Sequence, residues 1–110
     1  PMTSVDAWVE STGAGPVSFI KADVEGFEPQ VLEGAAATID RDRPAVLLEI
    51  EDRHLERYGT VAAEVVAEIA RRWPDYRMHV WRDEAWQPVD EVTLAARNYL
   101  FAVPESFARA

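Results

Sequence analysis

Carboxylates follow two apolar segments of this chain, at the points where predicted strands end. Asp23 ends the segment 17–23, Glu25 follows it, and Glu49 interrupts the second segment, 45–51. Clustered carboxylates raise one another's pKa, which makes a usable general base, or they share a hard cation such as Mg²⁺. If the two strands are neighbours, Asp23 and Glu49 are expected within ~5 Å of each other, because adjacent strands lie about 4.8 Å apart.

A structural role competes with the chemical role for each of these acids. A helix N-terminus stabilises a nearby negative charge by about 0.3–1 kcal/mol, and Glu28 fits that role best, whereas Glu25 fits either. A chemical role is favoured for Asp23 because it ends a buried strand. Lys21, two residues earlier, lies on the same side of that strand and could pair with Asp23. Glu49 is either paired with a basic residue or part of a site, since a buried unpaired carboxylate costs several kcal/mol.

Histidines and tryptophans add less to the predicted chemistry. His54 and His79 lack metal-ligand spacing, so a zinc site is not predicted. His54 follows the second acid-bearing strand and could reach the crevice at the strand ends, whereas His79 is expected on a wet strand face. The four tryptophans are expected in the core or at an interface rather than as stacking platforms, because the chain is so acidic.

The composition and charge of the chain indicate what kind of domain it forms and which kinds of partner it does not bind. The chain has 110 residues, of which 48% are hydrophobic, enough for one small domain with a core. Its 20 acidic residues against 11 Lys and Arg give a formal charge of −9, which repels nucleic acid and anionic membranes. It has no cysteine, no apolar run approaching the ~18 residues that span a bilayer, and no signal-peptide pattern at its start. The sequence therefore predicts a cytoplasmic protein that binds neither nucleic acid nor membrane.

The hydrophobic pattern predicts helices that alternate with strands. A capping box at Thr3 and Asp6 opens a first helix, and residues 11–16 are expected to form a loop. One helix is predicted to begin near Pro29 and to continue through Gly34. Strands are predicted at 17–23, 45–51, 76–82 and 98–104, the first buried on both faces. This order predicts an α/β fold with a mostly parallel sheet that ends in an antiparallel hairpin.

Four segments of the chain closely resemble the C-terminal half of FkbM-family methyltransferases. They are FIKADVEGFEPQVLEGA, RPAVLLEIE, HLERYG and NYLFAVP. The family's I-K-x-D-x-E-G-x-E motif falls on residues 20–28, and TSVDAWVES matches the segment that precedes it. The resemblance spans Thr3 to Pro104, and its most specific part is the acidic motif between a strand and a helix.

The resemblance implies a Rossmann-like class I fold that uses S-adenosylmethionine to methylate a hydroxyl of a small molecule or sugar. Residues 1–110 would supply strands four to seven of that fold, with strand seven between strands five and six, and the cofactor-binding half would be absent. The implied catalytic residues are Asp23 as first choice for the base, Glu49 as second, and Lys21. The implied contacts are Glu25 and His54 to the acceptor and Asp23 and Gly26 to the cofactor; the acids could also hold Mg²⁺.

A chain without strand one would expose the edge of strand four, a liability for pairing with another chain. We therefore expect this chain alone to transfer no methyl group and to self-associate through that edge. Two other functions fit the acids. An acid-rich, Mg²⁺-dependent hydrolase or phosphotransfer domain would gain thermal stability from the metal. A non-enzymatic interaction module would lose only stability on Asp23→Asn or Glu49→Gln substitution.

Overall fold

The computed structural model describes residues 4–13, 16–22, 28–51, 55–56, 59–92 and 96–104. These residues form both helices and strands. The helices described are α1 (Val5–Thr12), α2 (Glu28–Glu33), α3 (Ala36–Asp42) and α4 (Ala62–Arg72). The strands are β1 (Phe19–Ala22), β2 (Ala45–Glu49), β3 (Arg77–Arg82), β4 (Ala85–Pro88) and β5 (Asn98–Ala102). The expected α/β class is confirmed, and none of these helices is long and apolar enough to cross a membrane.

The strands form one mixed sheet in the order β1-β2-β5-β3-β4. Only β1 and β2 pair in parallel; the other three pairs are antiparallel, so the prediction of a mostly parallel sheet is wrong. A parallel pair needs a long crossover, which α2 and α3 supply between β1 and β2. β4 returns from β3 through Asp83 and Glu84 alone, both with positive φ, and can therefore only be antiparallel.

The position of β5 explains the rest of the difference from a parallel sheet. The expected antiparallel pairing of the last strand with the strand at 76–82 is confirmed, because β5 pairs antiparallel with β3. The pair does not lie at the sheet edge, however, since β5 lies between β2 and β3 and the additional strand β4 forms the edge hairpin. Because β5 runs against both neighbours, β1, β2 and β3 all point the same way. The order β1-β2-β5-β3 is consistent with strands four, five, seven and six of the fold that the resemblance implies.

One face of the sheet carries the hydrophobic core. Val46, Leu48 and Phe101 point to this face and are almost fully buried. They belong to one cluster with Ile39 of α3 and Ile69 of α4, so the helices that follow β1 and β2 cover the same face. Burying one such side chain contributes about 1.5–3 kcal/mol, which makes this cluster the main source of stability.

The other face is open at β1. Phe19 is 53% exposed, and Lys21, which shares its face, is also exposed. Ala22, on the core face, is buried. The prediction that the first strand is buried on both faces is therefore wrong, because the described helices that pack on β1 and β2 lie on one side only.

Helix α1 carries its own caps at both ends. The Ser4 hydroxyl accepts a hydrogen bond from the Ala7 N–H at 3.1 Å, whereas Thr3 of the expected capping box lies outside the described residues. Gly13 takes the left-handed conformation (φ 69°), and its N–H donates to the Val9 carbonyl. The helix thus runs further into the segment that was predicted to be a loop.

Asp6 attaches α1 to a break between α2 and α3. The single helix predicted across Gly34 is interrupted there, and the Gly34 carbonyl accepts a bond from the Asp6 N–H at 2.8 Å. The Asp6 carboxylate accepts from the N–H groups of Ala37 (3.0 Å) and Thr38 (2.8 Å) and from the Thr38 hydroxyl (2.7 Å). Asp6 therefore caps α3 from a distant helix, since Ala35 supplies no side-chain cap. Burial alone would raise the pKa of Asp6, but these hydrogen bonds lower it.

Substitution of Gly34 tests this packing. A Cβ at position 34 would lie 2.9 Å from the Ser4 Cβ, so we expect Gly34→Ala to lower the free energy of unfolding by about 1–3 kcal/mol, as overpacking does. Denaturant titration would measure the loss, with Gln30→Ala on the exposed side of α2 as the control, expected within about 0.5 kcal/mol of the parent chain. An increase in stability for Gly34→Ala would show that α1 does not pack here.

Asp42 fixes the segment that leads into β1. Its carboxylate accepts a bond from the Arg41 guanidinium at 2.8 Å and another from the Val17 N–H at 2.9 Å. The hydrogen bond from Arg41, followed by that from Val17, lowers the pKa of Asp42 to about 2. The carboxylate thus joins the end of α3 to the start of the strand that leads to the predicted site.

The stabilising effect of Asp42 should depend on pH. Because the pKa is about 2 in the folded chain against an ordinary value of 3.8, the contribution is complete above the ordinary value and is lost as pH falls through the folded one. We expect the difference in unfolding free energy between the parent chain and Asp42→Asn to shrink across that interval. Asp90→Asn, at an exposed position, is the control, and an Asp42→Asn difference that does not change with pH would contradict this role.

Candidate functional site

The carboxyl ends of β1 and β2 lie at the same edge of the sheet. Their parallel register pairs Ala22 with Leu48 as the last described pair. The next residue in each strand's sequence is one of the two candidate bases, Asp23 and Glu49. In parallel sheets, ligands bind outside this edge, so the described register agrees with a site at these strand ends.

Several of the predicted site residues fall outside the part of the chain that the structure describes. Their predicted roles stay predictions; they are Asp23, Glu25, Gly26 and His54. Lys21 and Glu49 are described, and alternation along the strands places both on the face opposite the core. Lys21 is exposed there and Glu49 is half-buried.

Glu49 is the last residue of β2 and lies directly opposite Asn98, the first residue of β5. Opposite residues in an antiparallel pair have Cβ atoms about 4.5–5.5 Å apart, so the side chains of Asn98 and Glu49 leave the sheet as neighbours on the same face. Sequence reasoning assigned Asn98 no role beyond opening the last strand. Only the insertion of β5 next to β2 brings the two together. The resemblance implies this strand order, whereas no local pattern predicts it.

A second contact lies just beyond this pair. The Arg97 guanidinium lies 3.7 Å from the Glu51 carboxylate, whose side chain is only 14% exposed. The Ile50 N–H donates to the Arg97 carbonyl at 2.8 Å, which continues the pairing of the two segments past the strands. We call Glu49, Glu51, Arg97 and Asn98 the strand-end cluster. An ion pair with one exposed partner contributes little stability, so the backbone hydrogen bond from Ile50 is the stronger link between the two segments.

The described residues do not by themselves build a metal or nucleoside site. None of their His, Asp and Glu side chains form a group of three or more that could hold a metal ion. The described glycines are Gly13, Gly34 and Gly59, which lie at helix ends and in a turn. None of these three follows a strand, so they do not form the glycine-rich turn that cradles a nucleoside cofactor.

The strand-end cluster contains the types of side chain that bind a hydroxyl group. A carboxylate accepts hydrogen bonds, and an amide both donates and accepts them, so Glu49 and Asn98 together can hold an O–H in a defined direction. A carboxylate that accepts the proton as that oxygen reacts is a general base. This chemistry uses only residues whose positions are described.

Comparison with known protein families identifies the sequence pattern. A family model described as "Methyltransferase FkbM domain" matches residues 1–78. The matched region contains β1, β2 and both described candidates, Lys21 and Glu49. Searches of curated proteins and of solved structures found no match.

Proposed function

Because this chain belongs to the FkbM methyltransferase family, we propose that its strand ends form the acceptor side of a methyltransferase site. In this proposal S-adenosylmethionine supplies the methyl group, and a hydroxyl of a small molecule or sugar receives it. The observation that carries the proposal is the half-buried Glu49 opposite Asn98, at the carboxyl end of a strand inside the matched region.

The proposed work of the chain is to orient the acceptor and remove its proton. The acceptor O–H would donate to a carboxylate, which takes the proton as the oxygen is methylated. Asp23 remains the first choice for this base and Glu49 the second, with the Asn98 amide orienting the acceptor. Lys21, an exposed cation on the same face as Glu49, remains the third residue proposed for catalysis.

No described residue is assigned to the cofactor. Gly26 and Asp23, the residues that the resemblance assigns to it, lie outside the described part of the chain. The variants below are therefore compared in the active enzyme that carries this sequence. The family match supports neither the metal-dependent hydrolase nor the interaction module.

Substitution of the two candidate bases tests the proposal. We expect Asp23→Asn to lower kcat by about ten- to a hundredfold or more, as loss of a general base does. Glu49→Gln should do the same if Glu49 is the base. Methyl transfer from labelled S-adenosylmethionine measures both. The pH profile separates a base from a structural acid, because only loss of the base removes the fall in rate at low pH.

The control for this test is Glu10→Gln, an exposed acid on α1, which should leave kcat unchanged. Thermal melts of all three variants would show whether a loss of rate reflects unfolding. If Asp23→Asn and Glu49→Gln fold and retain the parent rate and pH profile, the acids are structural and the base assignment is wrong.

We also propose that copies of this chain associate through the free edge of β1. In the described sheet β1 has β2 on one side and no strand on the other. An edge strand presents unpaired N–H and C=O groups that another strand can satisfy. The second copy is the proposed partner because Phe19, 53% exposed on this strand, would gain an apolar cross-strand neighbour when two such edges pair.

Light scattering after size-exclusion chromatography tests this association. We expect the chain to elute as a dimer or larger species, and Phe19→Lys to shift it to the monomer, because a charge on an edge strand opposes pairing. Trp8→Lys is the matched control, since Trp8 is 52% exposed but lies on α1. A monomeric parent chain, or an oligomer that Phe19→Lys leaves intact, would contradict the proposal.

A further inference from the structure

Two tryptophans form an exposed aromatic pair on the β3–β4 hairpin. Trp81 lies opposite Trp86, with ring centroids 5.3 Å apart and ring planes at 71°. Trp81 is 60% exposed, whereas Trp73 is buried in the core. The expectation that the tryptophans occupy the core or an interface therefore holds for Trp73 but does not explain Trp81.

The aromatic pair shares a face of the sheet with the strand-end cluster. β3 pairs with β5 as far as His79 opposite Leu100. Trp81 comes two residues after His79, and Asn98 comes two residues before Leu100, so the antiparallel register continues to these two residues. Because side chains alternate, Trp81 and Asn98 point to one face, and Glu49 opposite Asn98 points there too. β2 and β3 run in the same direction, so Trp81 and Glu49 also lie toward the same edge.

The distance between Trp81 and Glu49 suits a ligand ring that carries polar substituents. Trp81 lies two strand spacings from Glu49, about 10 Å across the sheet at the usual spacing. A ring stacked on Trp81 would therefore direct its substituents toward Asn98 and Glu49. The indole face binds apolar ring surfaces, while the amide and carboxylate bind hydroxyl groups.

The charge of the chain near Trp81 indicates which kind of ligand ring could stack on the indole. The chain carries a formal charge of −9, and the strand-end cluster holds two carboxylates, Glu49 and Glu51, against one guanidinium, Arg97. This negative balance favours a neutral ring over a phosphate-bearing ring such as a nucleotide. Stabilisation of the hairpin is a competing reason for a cross-strand aromatic pair. That role, however, does not require Trp81 to leave most of its surface in water.

We propose that Trp81 and Trp86 form a platform that binds a neutral, polyhydroxylated ring and presents its hydroxyls to the strand-end cluster. The platform rests on the proposed function only in that the bound ring would be the methyl acceptor. Binding itself needs no methyl transfer and can be measured separately.

The indole N–H signals of the ¹⁵N-labelled chain report this binding directly in two-dimensional NMR. Titration with methyl β-D-glucopyranoside should shift the signals of Trp81 and Trp86 with a dissociation constant of about millimolar strength, and should leave Trp8 unshifted. Trp81→Thr keeps a strand-forming residue and should weaken binding, followed at Trp86, by about tenfold, on the order of one aromatic contact. Trp8→Ala, at a similarly exposed tryptophan, should leave the affinity unchanged.

Three results would overturn the platform. The first is that the glucoside shifts neither the Trp81 nor the Trp86 signal. The second is that it shifts the Trp8 signal as much as the Trp81 signal, and the third is that the chain binds phenol but not the glucoside. The spectrum of Trp81→Thr verifies that this variant is folded, and Trp86→Thr gives an independent second variant. If the active enzyme binds the glucoside without methylating any of its hydroxyls, the proposed function alone is contradicted. If methyl transfer by the active enzyme survives both variants with unchanged KM, the platform alone is contradicted.

Discussion

The insertion of β5 between β2 and β3 is the constraint on which the rest of this structure depends. It places Asn98 opposite Glu49 and Leu100 opposite His79, and so joins the two halves of the sheet. Without it, the β3–β4 hairpin would not be joined to β1 and β2 in the described sheet. Because β5 runs against both neighbours, β2 and β3 end at one edge, which is where the proposed acceptor chemistry and the aromatic platform meet.

A second constraint is that the helices lie on one side. Residues from α2, α3 and α4 share one cluster with the core face of the sheet, so the main hydrophobic core lies on that side. The opposite face carries the half-buried Glu49 and the exposed Phe19, Lys21 and Trp81. It also carries buried residues at its centre, His79, Leu100 and Ala102. Only substitutions at the exposed residues of this face are therefore expected to change binding more than folding.

Local sequence patterns predicted the elements well because their causes are local. Alternating apolar residues gave β3, and Pro29 indicated the first turn of α2. The break at Gly34 was missed because its cause is distant in sequence: Asp6 of α1 caps α3, which no periodicity around Gly34 reveals. The exposure of Phe19 was missed for the same reason, since an apolar run does not show which face a helix will cover.

The candidate site was predictable in part. The acids at the strand ends could be found from residue type and position, and the family match contains them. Asn98 and Trp81 could not be found in this way, because their relation to Glu49 exists only once β5 is inserted between β2 and β3. The acids at a strand end can be recognised from the residues next to them in the sequence. The groups that would orient an acceptor come from strands far along the chain.

A crystal structure of the active enzyme with its acceptor bound would test the central claim most directly. The account predicts the acceptor hydroxyl within about 2.6–3.2 Å of a carboxylate oxygen of Asp23 or Glu49, the range of a working general base, on the face of the sheet opposite α2, α3 and α4. An acceptor bound on the helical side, or with no carboxylate within reach of its reacting oxygen, would contradict it.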